Sequence, residues 1–202
     1  MKVLLMILFS YLIGSIPFSY LIPKYFKKID ITKVGSGNIG GTNVMRSIGF
    51  FYGAVCMVLD ALKGFIPVMI AKNIFDDNLV IFFVLILSVL GHDYPIFMKF
   101  KGGKGVATTA GVMFGSTGYS GFVFLGLWIP LVLLTKIASL SSLIALFSTT
   151  FIHMIVSGGD IYSYGFLVLS LLSLYKHKEN IRRIVRGEEK RIDIIKMVRK
   201  KR

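Results

Sequence analysis

The stretch from Gly91 to Thr108 reads GHDYPIFMKFKGGKGVAT and interrupts two long apolar segments. It holds three lysines and four glycines, a composition that the interior of a bilayer disfavours. Glycine lets the backbone approach a ligand closely, and lysine supplies the positive charge that an anion requires. The stretch therefore predicts a site for a phosphorylated molecule at the surface of a membrane.

Apolar runs surround this stretch along most of the 202-residue chain, which is 54% hydrophobic. Ordinary globular domains are about 45–50% apolar. The runs approach or reach the roughly 20 residues that span a hydrocarbon core as a helix, and they cover residues 3–22, 50–71, 78–97, 119–135, 137–156 and 161–175. The sequence predicts an all-α integral membrane protein with a single domain over 1–202. The first run lacks a small-residue cleavage site, so we expect a retained helix and no signal peptide.

The distribution of charge predicts the orientation of these helices. Lysine and arginine gather between the first two runs, near 99–104 and in the tail from Lys176 to Arg202. Such segments stay on the cytoplasmic side. The tail then requires an even number of crossings over 105–135, with a break near Gly115–Gly118. We therefore expect seven transmembrane helices, with the N-terminus outside and the C-terminus cytoplasmic.

The net charge of +14 follows from this orientation and does not indicate a nucleic-acid partner. The basic residues lie beside membrane runs instead of forming one recognition patch. Residues 177–202 are predicted to form a cytoplasmic basic tail. Its isoleucines and valines recur at near-helical spacing, so we expect it to lie on the anionic leaflet.

A second polar block runs from Val34 to Arg46 as VGSGNIGGTNVMR. It contains a G-x-G-x-x-G pattern, but no strand–helix–strand unit surrounds it, so a dinucleotide site is disfavoured. The alternatives are a solvated hairpin or a ligand loop. The density of glycine, amide and hydroxyl groups favours the ligand loop, with Arg46 as its fixed charge.

A third block, HKENIRRIVRGEE, starts at His177. His177 and Asn180 are one helical turn apart and share a face, and neither helps membrane anchoring. A lone histidine, His153, is predicted to be structural or exposed. Within the second apolar run Asp60 and Lys63 are spaced to pair, and the sequence leaves open whether that pair is structural or belongs to the site.

These blocks, together with GSIPFSYLI (Gly14–Ile22), IDITKVGSGNIGGTN (Ile29–Asn43) and DALKG (Asp60–Gly64), resemble the PlsY family. Its members are bacterial, acyl-phosphate-dependent glycerol-3-phosphate acyltransferases. The resemblance covers nearly the whole chain, with Gly41 standing where the family pattern has alanine. It implies transfer of a fatty acyl group from acyl phosphate to the 1-hydroxyl of sn-glycerol 3-phosphate, giving 1-acylglycerol 3-phosphate and phosphate.

The resemblance also implies a set of site residues. Catalytic roles fall to Ser36, Arg46, Lys104, His177 and Asn180. Substrate binding falls to Gly35, Gly37, Asn38, Thr42, Asn43, His92, Lys101, Gly102, Gly103, Gly105 and Ser142. His177 is the first choice of general base, ahead of His92 or a substrate phosphate oxygen. We expect no metal and no cofactor.

The resemblance further implies a location and partners. The protein would lie in the bacterial cytoplasmic (inner) membrane in contact with membrane lipid, with its site on the cytoplasmic face. The sequence leaves acyl-chain preference and oligomeric state open, and a monomer is the simplest expectation. The alternative function is a membrane transporter of an organic phosphate. It is disfavoured because no inverted repeat is detected and the polar blocks gather at one face.

Overall fold

A computed structural model describes residues 1–199, which fold into α-helices joined by short loops, with no strand in that range. The first helices are α1 (Lys2–Gly14), α2 (Phe18–Lys27), α3 (Gly41–Ile48), α4 (Phe50–Ile74), α5 (Asn78–Asp93) and α6 (Val106–Thr117). They are followed by α7 (Tyr119–Thr135), α8 (Ala138–Ser157), α9 (Ile161–Lys176), α10 (Lys178–Val185) and α11 (Ile194–Arg199). The all-α prediction is confirmed.

Helix length and composition identify the elements suited to a bilayer. Among the described residues three helices are long and apolar enough to cross it, namely Phe50–Ile74, Asn78–Met98 and Ala138–Ser157. The pair α1 and α2 provides a fourth if it is counted as one bent span, while α7 and α9 are shorter apolar helices. The count of seven crossings and the sidedness of the termini stay predictions.

The first apolar run is not one helix, as predicted, but two helices bent by 40°. Proline disfavours helical backbone in the residue before it, and Pro17 follows the break at Ser15–Ile16. The break frees the carbonyl of Ile16, which accepts a hydrogen bond from Lys63 Nζ at 2.8 Å. The second break occurs where the charge pattern places it, since Gly118 separates α6 from α7.

Helices α4 and α6 pack closely along most of α6. A Cβ atom at Gly111 would come within 1.8 Å of the Ala61 carbonyl oxygen, and one at Gly64 within 2.2 Å of the Thr108 carbonyl oxygen. Only glycine permits this backbone approach. It brings the first turn of α6, which follows the KGGKG sequence, beside the middle of α4.

The C-terminal segment differs from its predicted place on the leaflet. Residues 188–193, here called the C-terminal strap, fold back against the protein. Ile192 is only 2% exposed, and its N–H donates to the Lys136 carbonyl at 2.7 Å. Asp193 pairs with Lys136 Nζ at 2.6 Å. The prediction was wrong for Ile192 because its side chain packs with Met45 and Val132. Residues 200–202 lie outside the described range.

Candidate active site

One cavity of about 500 Å³ lies among α3, α4, α6, α7, α8 and α10. Its polar part, here called the head chamber, is lined by Ser36, Asn38, Thr42, Arg46, Lys104, Ser139, His177, Asn180, Arg183, Glu189 and Lys190. Its apolar part, here called the tail groove, is lined by Met57, Val58, Ala61, Leu62 and Phe65 of α4, Ala107, Ala110, Gly111 and Phe114 of α6, and Phe124, Leu125 and Trp128 of α7. The cavity therefore joins a cationic compartment to a hydrophobic one.

Lys104 enters the head chamber from the loop before α6. Its ammonium donates to Asn180 Oδ1. Burial lowers the pKa of Lys104 to about 8, and the Glu189 carboxylate opposes this shift. Lys104 is mostly protonated at neutral pH, although its pKa lies well below the usual range for lysine.

Glu189 on the C-terminal strap organises the wall opposite Lys104. Its carboxylate accepts hydrogen bonds from Asn180 Nδ2 at 2.5 Å, Ser139 Oγ at 2.8 Å and Arg183 Nε at 2.7 Å. Burial by itself would raise the pKa of Glu189, but these donated bonds outweigh it, and the pKa is lowered. Glu189 is not among the site residues predicted from the sequence. The sequence indicates its position only as one of two adjacent acidic residues, Glu188 and Glu189, inside a mostly basic tail.

Arg46 extends from α3 into the chamber and is held by the strap. Its terminal NH2 group donates to the Lys190 carbonyl at 3.2 Å, while its Nε is buried without a hydrogen-bond partner among residues 1–199. Burial lowers the pKa of Arg46 and Glu189 opposes this, but an arginine stays charged in proteins. An unpaired buried N–H is unfavourable, so an anion bound here would satisfy it.

Asn43 shapes the first polar block from inside. Its amide Nδ2 donates to the carbonyls of Ile31, Val34 and Asn38 at 3.1–3.2 Å, and its Oδ1 accepts from the Ser36 N–H at 2.8 Å. These bonds occupy the side chain that was expected to bind substrate. Asn43 lies at the cavity wall, and its hydrogen bonds support the loop.

The remaining residues of that block divide between the turn and the cavity. Gly35 and Gly37 adopt φ of 61° and 71°, the left-handed region that favours glycine, and they do not line the cavity. Ser36, Asn38 and Thr42 do line it. The two glycines therefore shape the loop that presents these polar groups.

The KGGKG sequence likewise separates into two parts. Lys104 and Gly105 line the cavity, whereas Lys101, which is exposed, and Gly102 and Gly103 do not. The Gly103 N–H donates to the His92 carbonyl at 3.1 Å, and a Cβ there would come within 2.0 Å of His92 Nε2. These two glycines are therefore required for packing on His92, which aims the following lysine.

His92 connects this loop to the intramembrane charges. Its Nδ1 lies 3.7 Å from Asp60 Oδ1, and Asp60 pairs with Lys63 at 3.0 Å. Ser19 Oγ donates to the other Asp60 oxygen at 2.7 Å. Both His92 and Asp60 reach the wall of the main cavity, whereas Lys63 does not. The Asp60–Lys63 pair is thus buried at the edge of the cavity, with only Asp60 reaching its wall.

His177 lines the head chamber in a defined tautomer. A carbonyl can only accept, so the 2.7 Å contact between Nδ1 and the Ser173 oxygen places the proton on Nδ1 and leaves Nε2 as the acceptor. Burial, together with the charge of Lys104, lowers the pKa of His177 to about 4. His177 is therefore neutral at physiological pH and only weakly basic.

Ser142 lies near the boundary between the two compartments. Its hydroxyl donates to the Ala138 carbonyl at 2.7 Å and accepts from Trp128 Nε1 at 3.0 Å. Ser142, which the resemblance predicts to bind substrate, thereby fixes the indole that forms one side of the tail groove. His153 was predicted to be structural or exposed. It is only 1% exposed, and its Nε2 lies 3.0 Å from Asp160 Oδ1, so the first alternative holds.

Comparison with sequences of known proteins gives consistent matches. A family described as "Glycerol-3-phosphate acyltransferase" matches residues 4–187. "Glycerol-3-phosphate acyltransferase 2" of Thermotoga maritima is 49% identical over 187 residues, covering 93% of this chain and 95% of the relative. The glycerol-3-phosphate acyltransferase of Pseudothermotoga lettingae is 46% identical over 201 residues, covering 100% of both chains.

Solved structures show the same architecture. The crystal structure of PlsY, an integral membrane glycerol 3-phosphate acyltransferase, in its glycerol 3-phosphate form matches with a TM-score of 0.92 at 38% identity, covering 98% of this chain and 99% of that chain. Its lysophosphatidic acid form matches with a TM-score of 0.89 at 39% identity and the same coverage.

Proposed function

The chain belongs to the PlsY family of integral membrane glycerol-3-phosphate acyltransferases, and we propose that its donor is acyl phosphate. The reaction transfers the acyl group to the 1-hydroxyl of sn-glycerol 3-phosphate. The products are 1-acylglycerol 3-phosphate, which is a lysophosphatidic acid, and inorganic phosphate.

The observation that supports this assignment is the joined cavity. Its head chamber supplies Lys104 and Arg46, which suit phosphate groups, and its tail groove supplies apolar walls for a fatty chain. Both substrates carry a phosphate and one carries a tail. A transporter of an organic phosphate has no use for the groove, and the related structures in glycerol 3-phosphate and lysophosphatidic acid forms favour acylation.

The chemistry requires alignment and charge stabilisation more than activation. The hydroxyl oxygen attacks the acyl carbonyl carbon, the bond from that carbon to the phosphate oxygen breaks, and phosphate leaves with the electron pair. Lys104 and Arg46 stabilise the developing negative charge, and Gly41 and Thr42 in the first turn of α3, whose N–H groups have no partner within the helix, line the same cavity as Ser36. The protein thus holds two anions at the positions that the reaction needs.

The proton of the hydroxyl passes, in this proposal, to a substrate phosphate oxygen. His177 was the first choice of base, but its pKa of about 4 makes it a poor acceptor at neutral pH. A phosphate monoester has a second pKa of about 6. The Nε2 of His177 is better suited to accept a hydrogen bond that orients the attacking hydroxyl.

Transfer is direct, without an acyl-enzyme intermediate. The single thiol, Cys56, is fully buried, lies outside the cavity lining and has its Sγ 3.9 Å from the Phe18 carbonyl. Ser36 lines the chamber, but no hydrogen bond links its hydroxyl to a base among the described residues. Cys56→Ser is expected to retain most activity. A labelled acyl group trapped on the protein when glycerol 3-phosphate is withheld would contradict direct transfer.

Purified protein incubated with labelled glycerol 3-phosphate tests the donor. Acyl phosphate should give lysophosphatidic acid, whereas acyl-CoA should not. Lys104→Ala provides a matched control for activity from a contaminant. Product formed only from acyl-CoA would overturn the donor assignment, and uptake of organic phosphate into vesicles without acylation would favour transport.

The proposed location is the cytoplasmic membrane of a bacterium, with the head chamber on the cytoplasmic face. The proposed oligomeric state is a monomer, as the simplest arrangement. In a Cys56→Ser background, Lys99→Cys should react with an impermeant reagent only from the cytoplasmic side and Asp77→Cys only from outside. Labelling of position 99 from outside would contradict this orientation.

A further inference from the structure

We infer that three phenylalanines at the deep end of the tail groove, Phe65, Phe114 and Phe124, select the length of the acyl chain, with Phe114 as the principal determinant. The inference rests on the proposed function, because it concerns the donor held in that groove. It adds a property that the phosphate chemistry of the head chamber does not determine.

The three rings come from three helices that line the deep end of the groove. Helices α4 and α6 run away from the head chamber, and Phe65 and Phe114 are the last cavity-lining residues on each. Helix α7 runs in the opposite direction, because its C-terminal end leads to Lys136 beside the strap. Trp128 is therefore the nearer and Phe124 the deeper residue of α7. The rings together form the end wall of the groove.

The depth of this wall suits the distal part of a fatty chain. A helix rises about 1.5 Å per residue, so the wall lies about 10 Å beyond Ala107 along α6 and about 12 Å beyond Met57 along α4. One leaflet of the hydrocarbon core is about 15 Å thick. A long chain that starts at the head chamber therefore reaches the rings before its end.

Packing fixes the wall in place. A Cβ atom at Gly121 would lie 2.2 Å from Phe114 Cγ, so the Phe114 ring lies directly on the backbone of α7. The ring also makes an edge contact with Phe122, with centroids 5.1 Å apart. Phe124 is 3% exposed within the main core. Close-packed rings of this kind do not yield to extra methylene groups without strain.

The side of the groove offers the competing route. Val58 and Leu62 line the cavity and are 59% and 39% exposed, so a chain could turn out towards the bilayer between them. In that case the end wall would not discriminate between donors. Competition between donors of different chain length distinguishes a chain that ends at the rings from one that turns out between Val58 and Leu62.

The test supplies the full-length enzyme with an equimolar mixture of decanoyl, palmitoyl and stearoyl phosphate and measures product ratios by mass spectrometry. Ratios within one reaction do not depend on the amount of folded enzyme. Phe114→Ala should raise the long-to-short product ratio about tenfold, since methylene groups in a pocket discriminate on that scale. Phe114→Trp should lower it. Phe151→Ala, an exposed phenylalanine outside the cavity, serves as the control.

Unchanged ratios in both Phe114 variants, with acylation still measurable, would overturn the inference and assign the chain to the lateral route. If Phe114→Ala does not fold, Phe65→Leu tests the same wall, and an unchanged ratio there also counts against it. Absence of product from every donor with the unaltered enzyme would instead overturn the proposed function, and the inference with it.

Discussion

The head chamber and the tail groove are parts of one cavity, but they are built differently. The chamber collects charged and hydrogen-bonding groups from four separate stretches of the chain, and hydrogen bonds such as those of Glu189 fix their positions. The groove is a volume left between apolar faces of α4, α6 and α7. Single substitutions should therefore cause large losses of rate in the chamber and graded changes of preference in the groove.

The largest loss is expected for Lys104→Ala. It removes the partly buried ammonium that we propose stabilises the developing phosphate charge, so kcat/KM should fall about a thousandfold. Acylation assays with purified enzyme give the measurement. Lys99→Ala removes an exposed lysine of the same loop and should be nearly silent. Equal losses of kcat/KM in both variants would show that the cations act only by long-range electrostatic attraction, which would contradict a defined phosphate site.

Arg46→Lys should cause a smaller but still large loss. Lysine keeps the charge but not the planar fork, in which one nitrogen of Arg46 donates to the Lys190 carbonyl while the separate Nε has no partner among the described residues. We expect kcat/KM to fall about a hundredfold. A kcat/KM close to that of the unaltered enzyme would show that positive charge alone suffices at this position. It would also contradict the expectation that single substitutions in the chamber cause large losses of rate.

The pH profile should show the burial of Lys104. Because its pKa is lowered to about 8, the ammonium is present below that pH and is lost as pH rises through it. The kcat/KM of the unaltered enzyme should therefore fall about tenfold per unit at higher pH. Lys104→Arg keeps its charge at any practical pH and should lose this descending limb. If the kcat/KM of Lys104→Arg still falls at high pH, a group other than Lys104 causes the decrease and the prediction is wrong.

Sequence reasoning located the chamber better than the groove for a physical reason. Basic residues beside apolar runs are common in membrane proteins, but orientation does not explain the glycines and amides around Arg46 and Lys104 or the pair His177 and Asn180. These four residues could therefore be singled out as candidates before their contacts were known. Groove residues such as Ala61, Gly111 and Phe114 resemble any lipid-facing or core residue. Their role depends on which face of each helix points inward, and that requires the three-dimensional packing.

The sequence also misplaced residues whose role depends on long-range contacts. Glu189 and Ile192 read as parts of a surface tail, since nothing local reveals that the strap returns to Lys136 and Arg46. The substrate contact predicted for Gly103 stays a prediction, while the close backbone approach that the structure shows for this glycine is to His92. The residue types indicated that these positions tolerate few substitutions, but they did not indicate which distant residues they contact.

The strap can be tested through Ile192→Ala. Truncating this buried side chain removes contacts with Met45 and Val132 and loosens the carbonyl of Lys190 that holds Arg46. We expect KM for glycerol 3-phosphate to rise about tenfold with a smaller change in kcat. Ile195→Ala, which is 49% exposed on α11, is the matched control. An unaltered KM would show that Arg46 is positioned without the strap.

The smallest change in kcat/KM is expected for Lys101→Ala. This variant tests whether Lys101 belongs to the head chamber. The family resemblance implies that Lys101 binds substrate, whereas the structure leaves its side chain exposed and outside the cavity lining. Exposed charges act weakly through solvent because salt screens them within about 10 Å. We therefore expect kcat/KM to change less than about threefold, close to the result for Lys99→Ala. A loss approaching that of Lys104→Ala would mean that substrate draws the whole loop inward, and the chamber would then include both lysines.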